Sequence, residues 1–198
     1  MSETVPSHRL KRAKRALRRD VLALREALSA QERATKSRTI ADRLLALPEL
    51  TVAHTVLAFW SFGSEVETAP LLAGLASRGT RIALPRLELR EILPVTYRPG
   101  DPLAETTFGA MEPIGGAVVP PAEVDVVVTP GVAFDRRGHR VGYGEGFYDR
   151  FLPRTRPDAF RVAIAFDLQV VTAVPHGRVD VAVAAVVTEG EVIRCLPP

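Results

Sequence analysis

The sequence predicts an α/β fold, built on an open and mostly parallel sheet that is flanked by helices. Two observations predict it. Residues 52–84 have the pattern strand, helix, strand, and a βαβ unit of this length joins two parallel strands. Residues 124–129 form a β-branched run that ends at Pro130-Gly131, which is typical of a buried central strand.

Length and composition indicate one globular domain. The chain has 198 residues, of which 46% are hydrophobic and 25% are charged, and it has no run of about 18 apolar residues. We expect a single domain over residues 1–198, with N-terminal helices at about residues 8–47 packed on the α/β core. One cysteine, Cys195, and a basic N-terminus without an apolar segment predict a cytoplasmic protein that does not bind a membrane.

The basic composition is weak support for a nucleic-acid partner. Net charge is only +3, and three lysines (Lys11, Lys14 and Lys36) leave 23 of the 26 basic residues as arginine, as a biased genome composition also produces. Because no lysine follows residue 36, a P-loop lysine beside the later glycines and a Schiff-base lysine in the later sheet are excluded.

Two amphipathic helices are predicted before the first strand. The apolar side of the first consists of Leu10, Leu17, Val21, Leu24 and Leu28, and its basic residues are Lys11, Lys14, Arg15, Arg18 and Arg25. This basic face is either solvated or binds an anion. Residues 29–32 have the spacing of a capping box and begin the second helix, which Pro48 stops.

The β/α part follows in order. A buried strand is predicted at 52–60, then a helix that Thr68 caps and Gly79 ends, and a strand at 81–84 that Pro85 closes. Residues 86–123 contain an edge strand near 93–97 and a long loop that includes 108–113 and 115–121. After the strand at 124–129, a loop at 134–140 precedes a helix at 147–152, strands at 160–166 and 183–188, and a short ending at 191–195.

The stretch Gly142-Tyr-Gly-Glu-Gly-Phe-Tyr-Asp149 is the most unusual segment. Glycines at every second position leave backbone amides uncovered just before a helix, where a phosphate can bind, although a plain tight turn has the same pattern. The spacing matches neither GxxxxGK[ST] nor GxGxxG. Arg136, Arg137 and Arg140 precede the stretch and favour phosphate binding, and Asp149 is suited to Mg²⁺.

Aromatic residues cluster at two predicted strand ends. One cluster is Phe59, Trp60 and Phe62, and the other is Tyr143, Phe147 and Tyr148. Strand-end loops of a parallel sheet share one crevice, so these rings could line a pocket for a flat heterocycle, with Phe59 and Phe151 assigned to the core. Glu65 and Glu67 face one side of an extended segment, as ligand contacts or as solvated surface. The histidines at 54, 139 and 176 have no metal-ligand spacing.

Five segments together resemble the 5-formyltetrahydrofolate cyclo-ligase family, also called 5,10-methenyltetrahydrofolate synthetase. They are Lys14-Arg-Ala-Leu-Arg18, Phe62-Gly-Ser-Glu65-Val-Glu67-Thr68, Leu84-Pro85-Arg86, Glu112-Pro113, and the segment from Pro130-Gly-Val-Ala-Phe-Asp135 to Arg140-Val-Gly-Tyr-Gly-Glu-Gly-Phe-Tyr-Asp149-Arg. The resemblance implies an α/β sheet of the kind found in sugar-phosphate isomerases and CoA transferases. It also implies ATP-driven cyclisation of 5-formyltetrahydrofolate to 5,10-methenyltetrahydrofolate.

The resemblance also implies site residues. Catalytic roles fall to Lys14, Arg140 and Tyr148. ATP would be bound by Lys14, Arg15, Arg18, Arg140, Val141, Gly142, Tyr143, Gly144, Glu145, Gly146, Phe147 and Tyr148. The folate would be bound by Trp60, Glu65, Tyr143, Gly144, Glu145, Gly146 and Phe147, and Mg²⁺ by Asp149 and Asp180.

Two positions depart from the family pattern. Glu145 stands where small or basic residues are usual, and Ala184 takes the place of a second aspartate after Asp180, which weakens the assignment of Asp180 to the metal. Two alternatives stay open, a sugar-phosphate isomerase of similar fold and an RNA-binding module that uses the basic first helix. For the cyclo-ligase we expect a monomer whose partners are 5-formyltetrahydrofolate, ATP and Mg²⁺, without nucleic acid.

Overall fold

A computed structural model describes residues 7–106 and 109–195. Its α-helices are α1 (Ser7–Glu26), α2 (Ala30–Leu45), α3 (Pro48–Thr51), α4 (Ala69–Ser77) and α5 (Phe147–Phe151). Its strands are β1 (Thr55–Leu57), β2 (Arg81–Glu88), β3 (Glu91–Tyr97), β4 (Leu103–Glu105), β5 (Met111–Pro113), β6 (Val126–Thr129), β7 (Ala133–Asp135), β8 (Arg140–Val141), β9 (Phe160–Ile164), β10 (Val170–Val171), β11 (Ala185–Val187) and β12 (Val192–Arg194). Short 3₁₀ helices occur at Pro121–Glu123, Leu152–Arg154 and Asp167–Gln169.

The main sheet confirms the predicted fold class. Its seven strands lie in the order β12-β11-β9-β6-β1-β2-β3. Strands β11, β9, β6, β1 and β2 are parallel, and the edge strands β12 and β3 are antiparallel to their neighbours. The predicted central strand is β6, and the predicted edge strand is β3.

Helices cover both faces of the main sheet, because successive side chains of a strand point to opposite faces. On β1, Val56 packs into a core cluster with Leu44 of α2 and Leu72 of α4. Its neighbour Leu57 packs into a second cluster, with Phe151 of α5. Both α-helical layers therefore depend on buried strand residues that the sequence shows only as one continuous apolar run.

The first two helices form as predicted, with one exception. Ser29 Oγ accepts from the Glu32 backbone amide while the Glu32 carboxylate accepts from the Ser29 amide, so the capping box is present. In α1, Leu17 and Val21 pack on Val132 at the start of the small sheet, but Leu24 is exposed. Within residues 7–106 and 109–195, no helix is both long and apolar enough to span a membrane.

Two predicted element ends are wrong. Pro85 does not close its strand, since β2 continues to Glu88 and pairs with β3 in a hairpin where Pro85 lies opposite Pro94. Pro94 lies in the edge strand β3, and Pro85 lies beyond residues 81–83 of β2, which are the ones that pair with β1. Each proline therefore has a neighbouring strand on one side only, where a missing amide is tolerated. Thr68 precedes α4 but does not cap it, because its hydroxyl accepts instead from the amide of Ser61 and fastens the 61–68 loop.

Two predicted loops contain strands. Strands β4 and β5 form a hairpin inside the segment predicted as a long loop, of which Thr107 and Phe108 lie outside the described residues. The segment at 134–140 is part of a small sheet of order β10-β7-β8. Strands of two or three residues carry too few side chains for a visible alternation, so neither could be predicted from the sequence.

Candidate active site

The candidate site lies at the carboxyl ends of the parallel strands. The loop after β1 carries Glu65, the chain after β6 carries Gly131, and the 3₁₀ helix after β9 carries Gln169. These three residues line one small internal cavity together with Arg25 of α1. Open α/β sheets bind ligands in the crevice outside the carboxyl ends of their strands, which makes this region the candidate site.

The glycine stretch follows β8 and runs into α5. Gly144 and Gly146 have positive φ, +120° and +68°, which L-residues with a side chain rarely adopt. Arg18 of α1 donates from Nε to the carbonyl oxygen of Gly142 (2.7 Å). A Cβ atom at Gly144 would lie 3.5 Å from Arg18 Nη2. The first helix is therefore held directly against the backbone of the glycine stretch.

A second basic contact holds the other end of the stretch. Arg150 of α5 donates from Nη1 to the carbonyl oxygen of Glu145 (2.9 Å), and from Nη2 to the carbonyl oxygen of Arg90 at the tip of the β2–β3 hairpin (2.8 Å). The side chain of Glu145 itself is exposed. Its carboxylate therefore adds negative charge at the surface of the stretch.

Arg140 and Asp149 form a largely buried ion pair. Arg140 is 6% exposed and donates from Nη2 to Asp149 Oδ1 (2.9 Å). Burial lowers the pKa of Arg140, and the charges of Asp149 and Asp180 oppose this shift; a guanidinium stays protonated nonetheless. Arg140 is therefore a fixed positive charge beneath the glycine stretch.

Lys14 and Asp180 form a neighbouring pair. Lys14 Nζ lies 2.7 Å from Asp180 Oδ1 and 2.6 Å from Oδ2, and the Gly177 amide donates to Oδ2 (2.6 Å). Both side chains are mostly buried. The next residue, Val181, donates its amide to Asp149 Oδ1 (3.0 Å), which brings both predicted metal ligands into one region.

The two carboxylates differ in their free coordination capacity. Among the described residues, the hydrogen bonds to Asp149 go to Oδ1 and leave Oδ2 open, whereas both oxygens of Asp180 are engaged. No group of three or more His, Cys, Asp or Glu side chains with metal-site geometry occurs in residues 7–106 and 109–195. Mg²⁺ commonly takes only one or two carboxylates plus substrate phosphates, so the open oxygen of Asp149 fits such an ion.

A third cluster joins Glu65, Tyr143 and Arg25. The Tyr143 hydroxyl donates to Glu65 Oε1 (3.0 Å), the Phe62 amide donates to Oε2 (3.1 Å), and Arg25 Nη2 donates to the Tyr143 hydroxyl (2.8 Å). Burial raises the pKa of the Glu65 carboxyl, which is 5% exposed. Burial also raises the pKa of Tyr143, so its hydroxyl keeps its proton and stays a donor.

The aromatic side chains divide between the crevice and the core. The rings of Phe62 and Tyr143, from the two predicted clusters, meet at 5.1 Å between centroids. Trp60 instead meets Tyr97 of β3 edge-on at 6.0 Å. Phe59 and Phe151 are buried in the core, as predicted. The Tyr148 hydroxyl is buried and has no hydrogen-bond partner among the described residues.

Several other residues lie outside these three clusters of contacts. Arg136 and Arg137 lie in the turn between β7 and β8, where the Arg136 side chain pairs with Glu191. Arg15 is exposed on α1, and its charge acts on the neighbouring Arg18. His139 stacks on His176 with 3.6 Å between ring centroids and contacts Asp135. These residues do not form a metal-ligand cluster in the described part of the chain.

Arg25 belongs to the candidate site, although the sequence marks it only as one of the basic residues of the first helix. It is 2% exposed and contacts both Ser64 and Tyr143. A signal was present, because Lys14, Arg18 and Arg25 recur with Val21 at the spacing of one helix stripe. The basic stripe of α1 therefore extends beyond residues 14–18 to Arg25.

Comparison with known proteins identifies relatives along most of the chain. A model of the 5-formyltetrahydrofolate cyclo-ligase family matches residues 10–189. The 5-formyltetrahydrofolate cyclo-ligase of Escherichia coli K12 is 35% identical over 178 residues, which cover 85% of this chain and 96% of that protein. The structure of Aquifex aeolicus 5,10-methenyltetrahydrofolate synthetase is similar with a TM-score of 0.83 and 34% identity, over 93% of this chain and 94% of that one.

A second solved structure supports the fold alone. The 5,10-methenyltetrahydrofolate synthetase from Mycoplasma pneumoniae has a TM-score of 0.74 at 22% identity, and the similarity covers 89% of this chain and 98% of that one. The seven-stranded sheet with helices on both faces is therefore shared at low sequence identity.

Proposed function

The chain belongs to the 5-formyltetrahydrofolate cyclo-ligase family, and on that premise we propose which of its residues carry out the ATP-dependent cyclisation of 5-formyltetrahydrofolate to 5,10-methenyltetrahydrofolate. The observation that carries the proposal is the convergence on one crevice of two clusters. Lys14, Arg18 and Arg140 supply positive charge around the glycine stretch, and Glu65 with Tyr143 supplies a polar contact beside aromatic rings.

The reaction needs an activated formyl oxygen. In the first step this oxygen attacks the γ-phosphorus of ATP and ADP departs, which leaves an iminium phosphate at N5. In the second step N10 adds to the formyl carbon, N10 loses its proton, and inorganic phosphate takes the oxygen away. Phosphoryl transfer depends on positioning and charge neutralisation, which are the properties that buried guanidinium and ammonium groups provide.

We assign the triphosphate to the glycine stretch with Lys14, Arg18 and Arg140. Arg140 is fixed by Asp149, and Arg18 is fixed by the Gly142 carbonyl, so both charges are in position before a ligand arrives. Pre-organised charge costs no reorganisation during the reaction. Lys14 is held by Asp180 and could exchange this carboxylate for a phosphate oxygen, since both are anionic acceptors.

We assign the folate to the side of the crevice that holds Glu65. A carboxylate in an apolar setting suits the amide and amino donors of a pterin ring, because two parallel hydrogen bonds are then charge-assisted. The rings of Phe62 and Tyr143 lie beside it and offer flat apolar surface. Trp60, at the start of the same loop, completes the predicted folate contacts.

We propose Asp149 as the principal protein ligand of Mg²⁺. Its Oδ2 has no hydrogen-bond partner among the described residues, which is the observation that fits a cation. When bound, the ion would neutralise charge on the phosphates. Asp180 could contribute only an oxygen that Lys14 releases, and Ala184 offers no carboxylate beside it.

The proposal is tested by mixing purified protein with 5-formyltetrahydrofolate, ATP and Mg²⁺ and following the absorbance of the methenyl product. We expect product only when ATP is present. An absence of product from folded, metal-supplied protein would overturn the proposal. Product formation without ATP would point to another reaction, and conversion of a sugar phosphate under these conditions would favour the isomerase alternative.

Lys14→Ala tests the assignment of the phosphates. Loss of one charge-assisted contact of about 1.5–3 kcal/mol predicts a rise in the KM for ATP of roughly tenfold or more. The KM for the folate should change much less, since Glu65 and Tyr143 are untouched. Exposed Lys11→Ala on the same helix serves as the control. An unchanged KM for ATP in Lys14→Ala would show that Lys14 does not contact ATP.

We also propose that the enzyme is a cytoplasmic monomer of one domain that binds no nucleic acid. The three lysines among its 26 basic residues support the absence of a nucleic-acid partner, and the single cysteine supports the cytoplasmic location. Light scattering after size exclusion measures the molar mass, and a value twice that of the 21.5 kDa chain would overturn the monomer. RNA affinity that falls steeply with salt would overturn the expectation about nucleic acid.

A further inference from the structure

Arg25 is the most completely buried cationic side chain of the first helix. It is 2% exposed, donates from Nε to Ser64 Oγ (3.0 Å) and from Nη2 to the Tyr143 hydroxyl (2.8 Å), and its Nη1 is buried without a hydrogen-bond partner in residues 7–106 and 109–195. Burying a charge costs several kcal/mol unless it is compensated. A buried arginine with an unpaired nitrogen therefore suggests a role other than stabilising the fold.

The compensating anion is Glu65, and Tyr143 connects the two. The Tyr143 oxygen accepts from Arg25 Nη2, and the Tyr143 hydroxyl donates to Glu65 Oε1, so the orientation of the hydroxyl is fixed from both sides. The charge of Arg25 acts on the Glu65 carboxylate and lowers its pKa, in opposition to the larger effect of burial. Each member of this chain of three is oriented by the next.

Arg25 also joins three separate parts of the sequence. Ser64 precedes Glu65 in the loop after β1, and Tyr143 lies within the glycine stretch, so one guanidinium fastens the two loops to α1. Arg25, Glu65 and Gln169 line a cavity of about 10 Å³, enough for roughly one water molecule. Neither loop has regular secondary structure at these residues to hold it in place.

We propose that Arg25 is a positioning residue for the folate site, which holds Tyr143 and Glu65 in the orientation that receives the substrate. The inference rests on the proposed placement of the folate beside these two residues. Arg25 does not touch the reacting atoms; it sets the direction of the Tyr143 hydroxyl and the rotamer of Glu65. Its loss should therefore weaken folate binding and leave ATP binding nearly unchanged.

The test is steady-state kinetics of Arg25→Met with each substrate varied in turn. Methionine keeps most of the buried aliphatic part of the side chain and removes the charged guanidinium group with its hydrogen-bond donors. Loss of a charge-assisted hydrogen bond predicts a rise in the KM for folate of about tenfold or more, with the KM for ATP changed less than about twofold. Arg19→Met, on an exposed position of the same helix, is the matched control and should match wild type.

A double-mutant cycle separates positioning from general damage to the fold. If Arg25 acts through Tyr143, adding Arg25→Met to Tyr143→Phe should raise the KM for folate by less than about twofold more, since the link is already broken. Arg25→Lys retains the buried charge without the fork, and it decides the question if Arg25→Met does not fold. We expect Arg25→Lys to raise the KM for folate about threefold to tenfold.

The outcomes distinguish this inference from the assignment of the folate site. Glu65→Gln is measured alongside. If Glu65→Gln raises the KM for folate and neither Arg25 variant does, the positioning role is overturned and the folate site stands. If Glu65→Gln leaves the KM for folate unchanged, the folate is bound elsewhere and both statements are overturned. Fully additive effects of Arg25→Met and Tyr143→Phe would also overturn the positioning role.

Discussion

Asp149→Asn should lower both turnover and the stability of the fold, because this carboxylate is the proposed Mg²⁺ ligand and also neutralises a buried charge. Arg140 is 6% exposed, and Asp149 is the carboxylate to which it donates. Removing one partner of a buried pair typically costs about 3–5 kcal/mol. Asp149 is 19% exposed at its side chain, and asparagine keeps an oxygen that accepts from Arg140 and from the Val181 amide. We therefore expect the free energy of unfolding to fall by roughly 2 kcal/mol, at the lower end of the range.

The measurement is urea unfolding of wild type, both single variants and the double variant Arg140→Met/Asp149→Asn at neutral pH. For a chain of this length, the expected loss in Asp149→Asn corresponds to a decrease in Tm of about 4–8 °C. Arg140→Met removes the buried charge itself and leaves a partly hydrated carboxylate, so it should cost about 1 kcal/mol. The double variant should be more stable than Asp149→Asn alone, because no unpaired charge remains.

The order of these stabilities decides whether the reasoning is correct. A double variant that loses the sum of both single effects would refute the pairing, and so would Asp149→Asn with a free energy of unfolding within about 0.5 kcal/mol of wild type. Turnover is measured on the same preparations at saturating ATP and folate. We expect it to fall by more than about a hundredfold in Asp149→Asn, since the open carboxylate oxygen is lost.

Three further predictions concern Tyr148, Gly138 and Glu65, and Gly63 supplies a comparison. Tyr148→Phe removes a buried hydroxyl that has no hydrogen-bond partner among the described residues. The free energy of unfolding should therefore stay equal or rise by up to about 1 kcal/mol, and a clear decrease in Tm would contradict this expectation. The catalytic role that the family resemblance implies for the hydroxyl predicts lower turnover. Gly138 has φ +85°, and a Cβ atom there would lie 2.1 Å from the Val183 carbonyl oxygen, so Gly138→Ala should lower the free energy of unfolding by more than about 2 kcal/mol. Gly63 has φ +58° with no atom within 4 Å of such a Cβ, so Gly63→Ala should lower it by only about 1–2 kcal/mol. Equal losses in Tm for the two variants would refute the clash. Burial raises the pKa of Glu65 in the folded state. Its contribution to stability is therefore present below the unfolded pKa of about 4.3 and is lost as pH rises through the folded value. In urea unfolding, Glu65→Gln should gain stability relative to wild type as pH rises above about 4.3, and a relative loss of stability would contradict a raised pKa of Glu65.

The sheet was predictable from the sequence wherever one strand buries enough apolar residues. The run at 124–129 is β-branched except for Asp125, and β6 lies at the centre of the sheet. The capping box at Ser29 and Glu32 begins α2 as expected, because it depends only on contacts within four residues. Such local signals are complete within a short segment, so no tertiary information is needed to read them.

Predictions failed where a distant segment determined the outcome. Pro85 continues in a strand because β3 supplies a partner with another proline opposite it. Thr68 bonds to the amide of Ser61 and not to its own helix, because the loop after β1 turns back upon it. Short strands β7 and β8 pair in a second sheet that alternation could not reveal.

The sequence by itself determined the α/β class, the identity of the glycine stretch and the list of charged residues around it, because periodicity and motif spacing are properties of neighbouring residues. Only the tertiary structure decided which charges meet. Lys14 pairs with Asp180 across 166 positions, and Arg25 reaches Tyr143 across 118. The physical reason is that a buried unpaired charge costs several kcal/mol of folding free energy, so a buried charged side chain is paired with an opposite charge that the fold places beside it.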